Sequence, residues 1–297
     1  MFLNSNLPEN HLNFRTINIT DKNANSFLQK HHTKIGVWGK VSISSGKASI
    51  VILDGEDKVV RKQCIESGDN FVIPPYLWVQ LEILSKNIMG QVSFFCHPIF
   101  YYKEKYQLTK PSSAVVHFNN HYLSSSAKKR VILDIGSGRG RNSLYLSQHG
   151  HSITACDKDT EQIKRLDYII KHENIDLITA KEFNLEAKPL IGSYDVIVSI
   201  VVLQFLAPKN VWGIIENMQN ITNRGGFHVI VCPVYSSQSL LPKSFSFLLE
   251  PKSLVEYYRS KSWAILEYEE DYGHLCRKDK NNVPIRGLFA RLIAQRV

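Results

Sequence analysis

No apolar run in this chain approaches the roughly 20 residues that a helix needs to cross a bilayer. The first ten residues are polar and lack the basic-then-apolar order of a secretory leader. Cysteine is scarce: Cys64, Cys96, Cys156, Cys232 and Cys276 stand far apart, and no C-x-x-C pair occurs. That spacing argues against a disulfide framework and a zinc ribbon and suits reduced thiols, so a cytoplasmic protein with no membrane partner is expected. Acidic residues number 27 against 36 basic ones, a formal net charge of +9. Such an excess attracts anions. The lysines and arginines are nevertheless spread along the whole chain, and the one tight cluster, Lys128-Lys129-Arg130, precedes an apolar run. No nucleic-acid partner is expected on charge alone. Internal repeats and low-complexity tracts are also absent.

A length of 297 residues with 43% apolar content exceeds one ordinary core and predicts two domains. Residues 32–96 read as short strands at 40–44, 48–53, 58–65, 71–74, 78–84 and 90–96, divided by turn signals such as Asp54-Gly55 and Ser67-Gly68-Asp69. A small all-β domain, sandwich- or cupin-like, is therefore expected over residues 1–100. His31 and His32 would face opposite sides of a strand, and no H-x-H followed by Glu occurs, so no metal is expected there. Residues 101–125, with Pro111, read as a linker or helical entry. Over residues 126–297 apolar strands alternate with amphipathic helices, the pattern of an α/β, doubly wound sheet.

The run Val131-Ile132-Leu133-Asp134-Ile135-Gly136-Ser137-Gly138-Arg139-Gly140 carries the chemistry. Its apolar part predicts a strand buried on both faces. The glycines predict a sharp turn at a helix N-terminus, where a ligand can approach bare backbone. A second strand, 153–156, ends in Asp157, near the offset at which an acid takes ribose hydroxyls; a third, 178–183, ends at Asn184, whose amide suits an adenine edge. Strands at 194–199 and 227–232 follow, and two more at 262–268 and 288–297 are expected on either side of a polar stretch, 269–283. The G-x-G-x-G spacing and the acid Asp134 lean away from a dinucleotide, because a carboxylate beside the loop repels pyrophosphate and suits an ammonium group.

These residues resemble the tellurite-resistance methyltransferases of the TehB family in their long form. The resemblance runs through Lys34-Ile35-Gly36-Val37-Trp38-Gly39-Lys40, Lys105-Tyr106-Gln107-Leu108-Thr109, the glycine run with Arg141-Asn142-Ser143-Leu144-Tyr145-Leu146, Ser199-Ile200-Val201-Val202-Leu203-Gln204-Phe205-Leu206, and Phe245-Ser246-Phe247. It implies a Rossmann-like class I methyltransferase domain, a mixed seven-stranded sheet with helices on both faces, that binds S-adenosyl-L-methionine (SAM). The candidate cofactor contacts are Asp134, Gly136, Ser137, Gly138, Arg139, Asn142, Ser143, Asp157, Lys158, Phe183, Asn184 and Ile200. The implied acceptor is a small anionic or soft molecule, tellurite- or selenite-like, methylated in the cytoplasm, and a homodimer is one option for the assembly.

On the acceptor side the pattern departs from the family. Where the family carries G-E-L-H-[RK] this chain has Gly273-His274-Leu275-Cys276-Arg277, and an expected arginine is Pro284, with Arg286 close by. Arg277 is the first candidate for an oxyanion clamp, followed by Arg286 and His274, and the Cys276 thiol is a soft-atom ligand. Phe205 and Tyr106 are candidate walls of the transfer pocket. These departures leave open another acceptor, a thiol or small metabolite, and a SAM-binding regulator without activity. The N-P-P-Y motif of amino-methylating DNA enzymes does not follow the fourth strand.

Overall fold

A computed structural model describes residues 6–23, 27–124, 128–239, 241–278 and 282–297, with the side chains of 276–278 set aside. The chain divides into two compact units between Gln107 and Leu108. The first contains β1 (Leu12–Ile19), β2 (Val37–Ser45), β3 (Lys47–Leu53), β4 (Val59–Glu66), β5 (Asn70–Ile73), β6 (Trp78–Ile83), β7 (Met89–Cys96) and α1 (Pro98–Tyr106). One antiparallel sheet has the order β1-β7-β2-β5 and the other β4-β3-β6. Alternate residues of both, such as Val41 and Ile43, Ile50 and Ile52, Val79 and Leu81, enter one shared apolar core, which defines a sandwich. The strand β1 was not expected from sequence. Its outward Asn, Arg and Thr dilute the alternation, and pairing with β7, from Leu12 opposite Cys96 to Ile19 opposite Gly90, sustains it.

The second unit contains α2 (Ser113–Phe118) with a π-helical turn (Asn119–Leu123), β8 (Val131–Ile135), α3 (Arg141–Gln148), β9 (Ser152–Asp157), α4 (Thr160–His172), β10 (Ile178–Glu182), β11 (Tyr194–Ile200), a 3-10 turn (Leu203–Phe205), α5 (Pro208–Asn220), β12 (Thr222–Val234), α6 (Ser253–Ser260), β13 (Trp263–Lys278) and β14 (Pro284–Arg296). The sheet order is β10-β9-β8-β11-β12-β14-β13. The pairs from β10 to β12 are parallel, and β14 runs antiparallel between β12 and β13. Helices cover both faces: Leu133 and Ile135 of β8 pack with α5 and α6, whereas Asp134 turns the other way, to Ser143 of α3. No helix among the described residues is long and apolar enough to cross a membrane.

Sequence polarity misplaced one boundary. Residues 269–278, expected as part of a connecting stretch, are strand, because β13 pairs with β14 as far as Lys278 opposite Pro284. Since β14 meets the last residue of β12 at Leu288, the hairpin beyond it projects past the carboxyl ends of the parallel strands.

Deep in this unit His228 of β12 is fully buried between Thr222 and Tyr258. The Thr222 hydroxyl donates to the Met218 carbonyl at 2.8 Å, so it accepts from Nε2 of His228, also at 2.8 Å. Nδ1 then accepts from the Tyr258 hydroxyl at 2.5 Å. Burial pulls the imidazole pKa down to about 3, which keeps the ring neutral. Replacing Tyr258 by Phe strands a buried acceptor, and unfolding free energy should fall by about 1–3 kcal/mol in a denaturant titration. An unmoved midpoint would show that the hydroxyl contributes nothing.

Candidate active site

The loop after β8 is a left-handed bend, with φ of +61°, +55° and +81° at Gly136, Gly138 and Gly140. A Cβ on Gly136 would stand 2.5 Å from Val202, and one on Gly140 would stand 2.4 Å from Leu166 of α4. Both glycines allow close packing. Around Gly138 a Cβ would meet nothing within 4 Å, so this glycine opens onto free space. Gly140 leads directly into α3, whose first amides lack helical partners and attract electron-rich ligand atoms. Asp157, at the end of β9, braces the bend: one carboxylate oxygen accepts from the Gly138 N–H at 2.8 Å and the other from Asp159 N–H at 2.9 Å. Each oxygen keeps a lone pair for a further donor.

The bend forms one wall of a cleft of about 260 Å³ that also contains Leu108, Thr109, Ile200 and Val201. It lies at the carboxyl ends of β8 and β11, where the strand order reverses, the usual ligand crevice of such sheets. Six of the sequence-predicted residues line it: Gly136, Ser137, Gly138, Arg139, Asn142 and Ile200. Ser137 Oγ is buried with no hydrogen-bond partner, as is Ser199 Oγ just before Ile200. Buried polar atoms are rarely left unpaired, and of these two only Ser137 lines the cleft.

Beneath the bend, Asp134 is 1% exposed and accepts from the Ser143 hydroxyl at 2.6 Å. Burial raises its pKa to about 6; Ser143 and the Arg141 charge offset this only in part. The cluster thus favours a cation nearby. Ser143 acts on Asp134 and does not line the cleft.

The other predicted contacts lie outside the cleft lining. Lys158 is exposed, the half-buried Phe183 ring has Lys188 Nζ 5.0 Å from its centre, and Asn184 Oδ1 accepts from Glu186 N–H at 3.0 Å. Arg286 is exposed on the projecting hairpin, with its guanidinium 4.4 Å from the Tyr272 ring centre and His274 opposite it in register. The side chains of Cys276 and Arg277 lie outside the described residues. Phe205 is half-exposed, edge-to-face with Phe245 at 5.3 Å, and Tyr106 closes α1 in the N-terminal unit.

Sequence reading missed four lining residues. Arg141 Nη1 donates to Thr109 Oγ1 at 3.3 Å and to the Lys110 carbonyl at 3.2 Å, and Asn142 Oδ1 accepts from Ser112 N–H at 2.9 Å. These bonds lash residues 109–112 to the first turn of α3 and bring Leu108 and Thr109 to the cleft. The fourth, Val201, has φ of +58°, a strained conformation for a β-branched residue. No local sequence signal announces it.

A parallel sheet with one inserted antiparallel strand and a ligand cleft at its switch point is the fold of class I methyltransferases. The chain belongs to the TehB family: the model described as "Tellurite resistance protein TehB" matches residues 94–293, and one described as "TehB-like domain" matches residues 20–92. It is 36% identical over 278 residues to "Probable S-adenosyl-L-methionine-dependent methyltransferase TehB" of Haemophilus influenzae (strain 10810), covering 93% of this chain and 94% of that protein. The crystal structure of TehB from Haemophilus influenzae superposes with a TM-score of 0.88 at 31% identity, over 98% of this chain and 100% of that one. A further relative, "Hemagglutinin 1" of Eikenella corrodens, is 27% identical over 286 residues, 96% of this chain and 92% of that protein.

The Asp134 charge has a measurable consequence. Its pKa is raised from 3.8 to about 6, so the folded state is penalised when the carboxylate is ionised, by about 3 kcal/mol well above pH 6. Asp134→Asn should therefore stabilise the ligand-free protein at pH 8, and the gain should shrink to about 0.5 kcal/mol at pH 4, where the folded carboxyl is protonated and the unfolded one is near its pKa of 3.8. Denaturation curves at the two pH values read this directly; a variant less stable than wild type at pH 8 would contradict the assignment.

Proposed function

We propose that the chain is a SAM-dependent methyltransferase whose cofactor lies in the cleft of Gly136 to Asn142, and whose acceptor is a small anionic or soft molecule of the chalcogen oxyanion class. The observation that carries the first part is Asp134, a buried carboxylate with no cationic partner in direct contact among the described residues, directly under an open glycine bend. SAM, when bound, supplies a sulfonium-activated methyl group, so no nucleophilic triad is required of the protein. Asp134 would hold the ammonium of the methionine moiety, Asp157 the ribose hydroxyls through its free lone pairs, and Ser137 Oγ a polar atom of the ligand. The Nδ2 donors of Asn184 remain for an adenine edge. Backbone amides at the start of α3 add a positive field for a carboxylate. What remains for the protein is alignment of acceptor and methyl, worth several kcal/mol of a barrier when held at near-attack distance.

For the acceptor, the support is topological. The β13–β14 hairpin carries His274, Cys276, Arg277 and Arg286 past the carboxyl edge where the cleft opens. Arginines there would hold oxyanion oxygens by charge-assisted hydrogen bonds. The Cys276 and Pro284 departures favour one alternative, a thiol or other small metabolite as acceptor. We place the reaction in the cytoplasm, a reading supported by unpaired Cys64, Cys96, Cys156 and Cys232.

Two measurements test this reading. A cation held by Asp134 drives its pKa down, so SAM affinity should be about tenfold weaker at pH 5 than at pH 7 in the wild type and nearly flat in Asp134→Asn. Calorimetry also reads Asp157→Ala, for which binding should be lost; full affinity in both variants would move the cofactor elsewhere. Conversion of SAM to S-adenosylhomocysteine with tellurite, selenite and simple thiols as separate acceptors decides the substrate class. Turnover with thiols alone would discard the oxyanion.

A further inference from the structure

Val201 is the one β-branched residue with positive φ among the described residues, and it sits on the cleft wall. Such a conformation stores about 1–3 kcal/mol of strain and persists only where the surroundings over-determine it. Here both of its backbone polar groups are held. Its N–H donates to the Val231 carbonyl of β12 at 2.7 Å, and its carbonyl accepts from Nε2 of Gln204 at 2.7 Å. Gln204 is fully buried, and that bond fixes which end of its amide faces Val201. The bend at Val201 is followed by Val202, whose methyl groups occupy the space that a Cβ on Gly136 would need. One end of the glycine bend is thus shaped by the turn that Gln204 clamps.

Gln204 also reaches the other way. Its own carbonyl accepts from Ser246 N–H at 2.8 Å and Phe247 N–H at 3.2 Å, so the segment between β12 and α6, also held to β12 through Leu249, is tied in part to the same residue. That segment in turn meets the projecting hairpin, through Ser236 and Tyr272 hydroxyls at 2.9 Å and a Ser239 Oγ bond from Leu288 N–H at 3.1 Å.

From this geometry we infer that Gln204 is a positioning residue: it holds Val201 in the left-handed conformation that sets the cofactor wall, and ties that wall to the segment supporting the acceptor-side hairpin. The inference rests on the reading that the cleft takes SAM. It predicts a specific non-additivity, because glycine adopts positive φ without strain and needs no clamp.

Calorimetric titration of SAM into four full-length chains tests it: wild type, Gln204→Met, Val201→Gly and the double variant. Gln204→Met should weaken SAM binding about tenfold in the wild-type background, the equivalent of one modest strain term. The same substitution in the Val201→Gly background should change affinity by less than about threefold. Equal losses in the two backgrounds, or no loss in the first, overturn the inference. Gln204→Leu, close in size but without any donor, serves as the second variant if Gln204→Met does not fold, with the same expected pattern. A wild-type chain that shows no SAM binding overturns the cofactor reading and the inference with it; wild-type binding with an additive cycle overturns the inference alone.

Discussion

A carboxylate buried against a serine hydroxyl, with no cation in contact among the described residues, is the constraint on which the second unit turns. Asp134 sits on a strand hydrogen-bonded on both sides, so its backbone cannot shift to bring it to water. Ionised in that place it opposes folding, and the Ser143 bond recovers only part of the loss. The presence of an acid is intelligible when the missing positive charge comes from a ligand entering above it. The protein then holds its site at a standing energetic disadvantage that binding relieves, a common relation between stability and function.

The bend over Asp134 is narrow for the same reason. Gly136 and Gly140 are drawn against Val202 and Leu166 so tightly that no side chain fits, while Gly138 faces open space. Packing therefore occurs below and at the flanks, and bare backbone is left only where a ligand can approach. Asp157 completes the frame from the next strand by taking the Gly138 N–H, which couples this second acid to the shape of the bend. The two acids have distinct parts: one supplies charge from beneath and the other holds the loop while keeping lone pairs free.

How much of this could be read from the sequence depends on how local the cause is. The apolar run of β8 and its glycines are local and were legible, as was Asp157, whose spacing is set by one βαβ unit. Val201 was not, since two consecutive valines after a strand predict more strand; the tertiary bonds to Val231 and Gln204 impose the opposite. Leu108 and Thr109 were missed as cleft residues because Arg141 and Asn142, some 30 positions away, draw them in. The polar half of β13 was misread because pairing with β14, and not side-chain alternation, makes it a strand. Likewise β1 is held by its register with β7 while its composition reads as loop.

The asymmetry between the two halves of the site follows from the same distinction. A cofactor with fixed functional groups can be met by residues clustered around two strand ends, and those residues leave a compact trace in the sequence. The residues proposed for the acceptor come together only through topology, on a hairpin that runs past the end of β12 and is braced by the segment after β12 through Tyr272 and Leu288. Arg286 on that hairpin already lies over the Tyr272 ring, a contact that orients the guanidinium without neutralising it. An arginine so held keeps all its donors for an anion, whereas an arginine in a carboxylate bridge would have to surrender one partner to gain another. The geometry of the hairpin thus keeps open the anion chemistry that the local sequence, with Cys276 and Pro284 in place of the family's residues, would by itself have discounted.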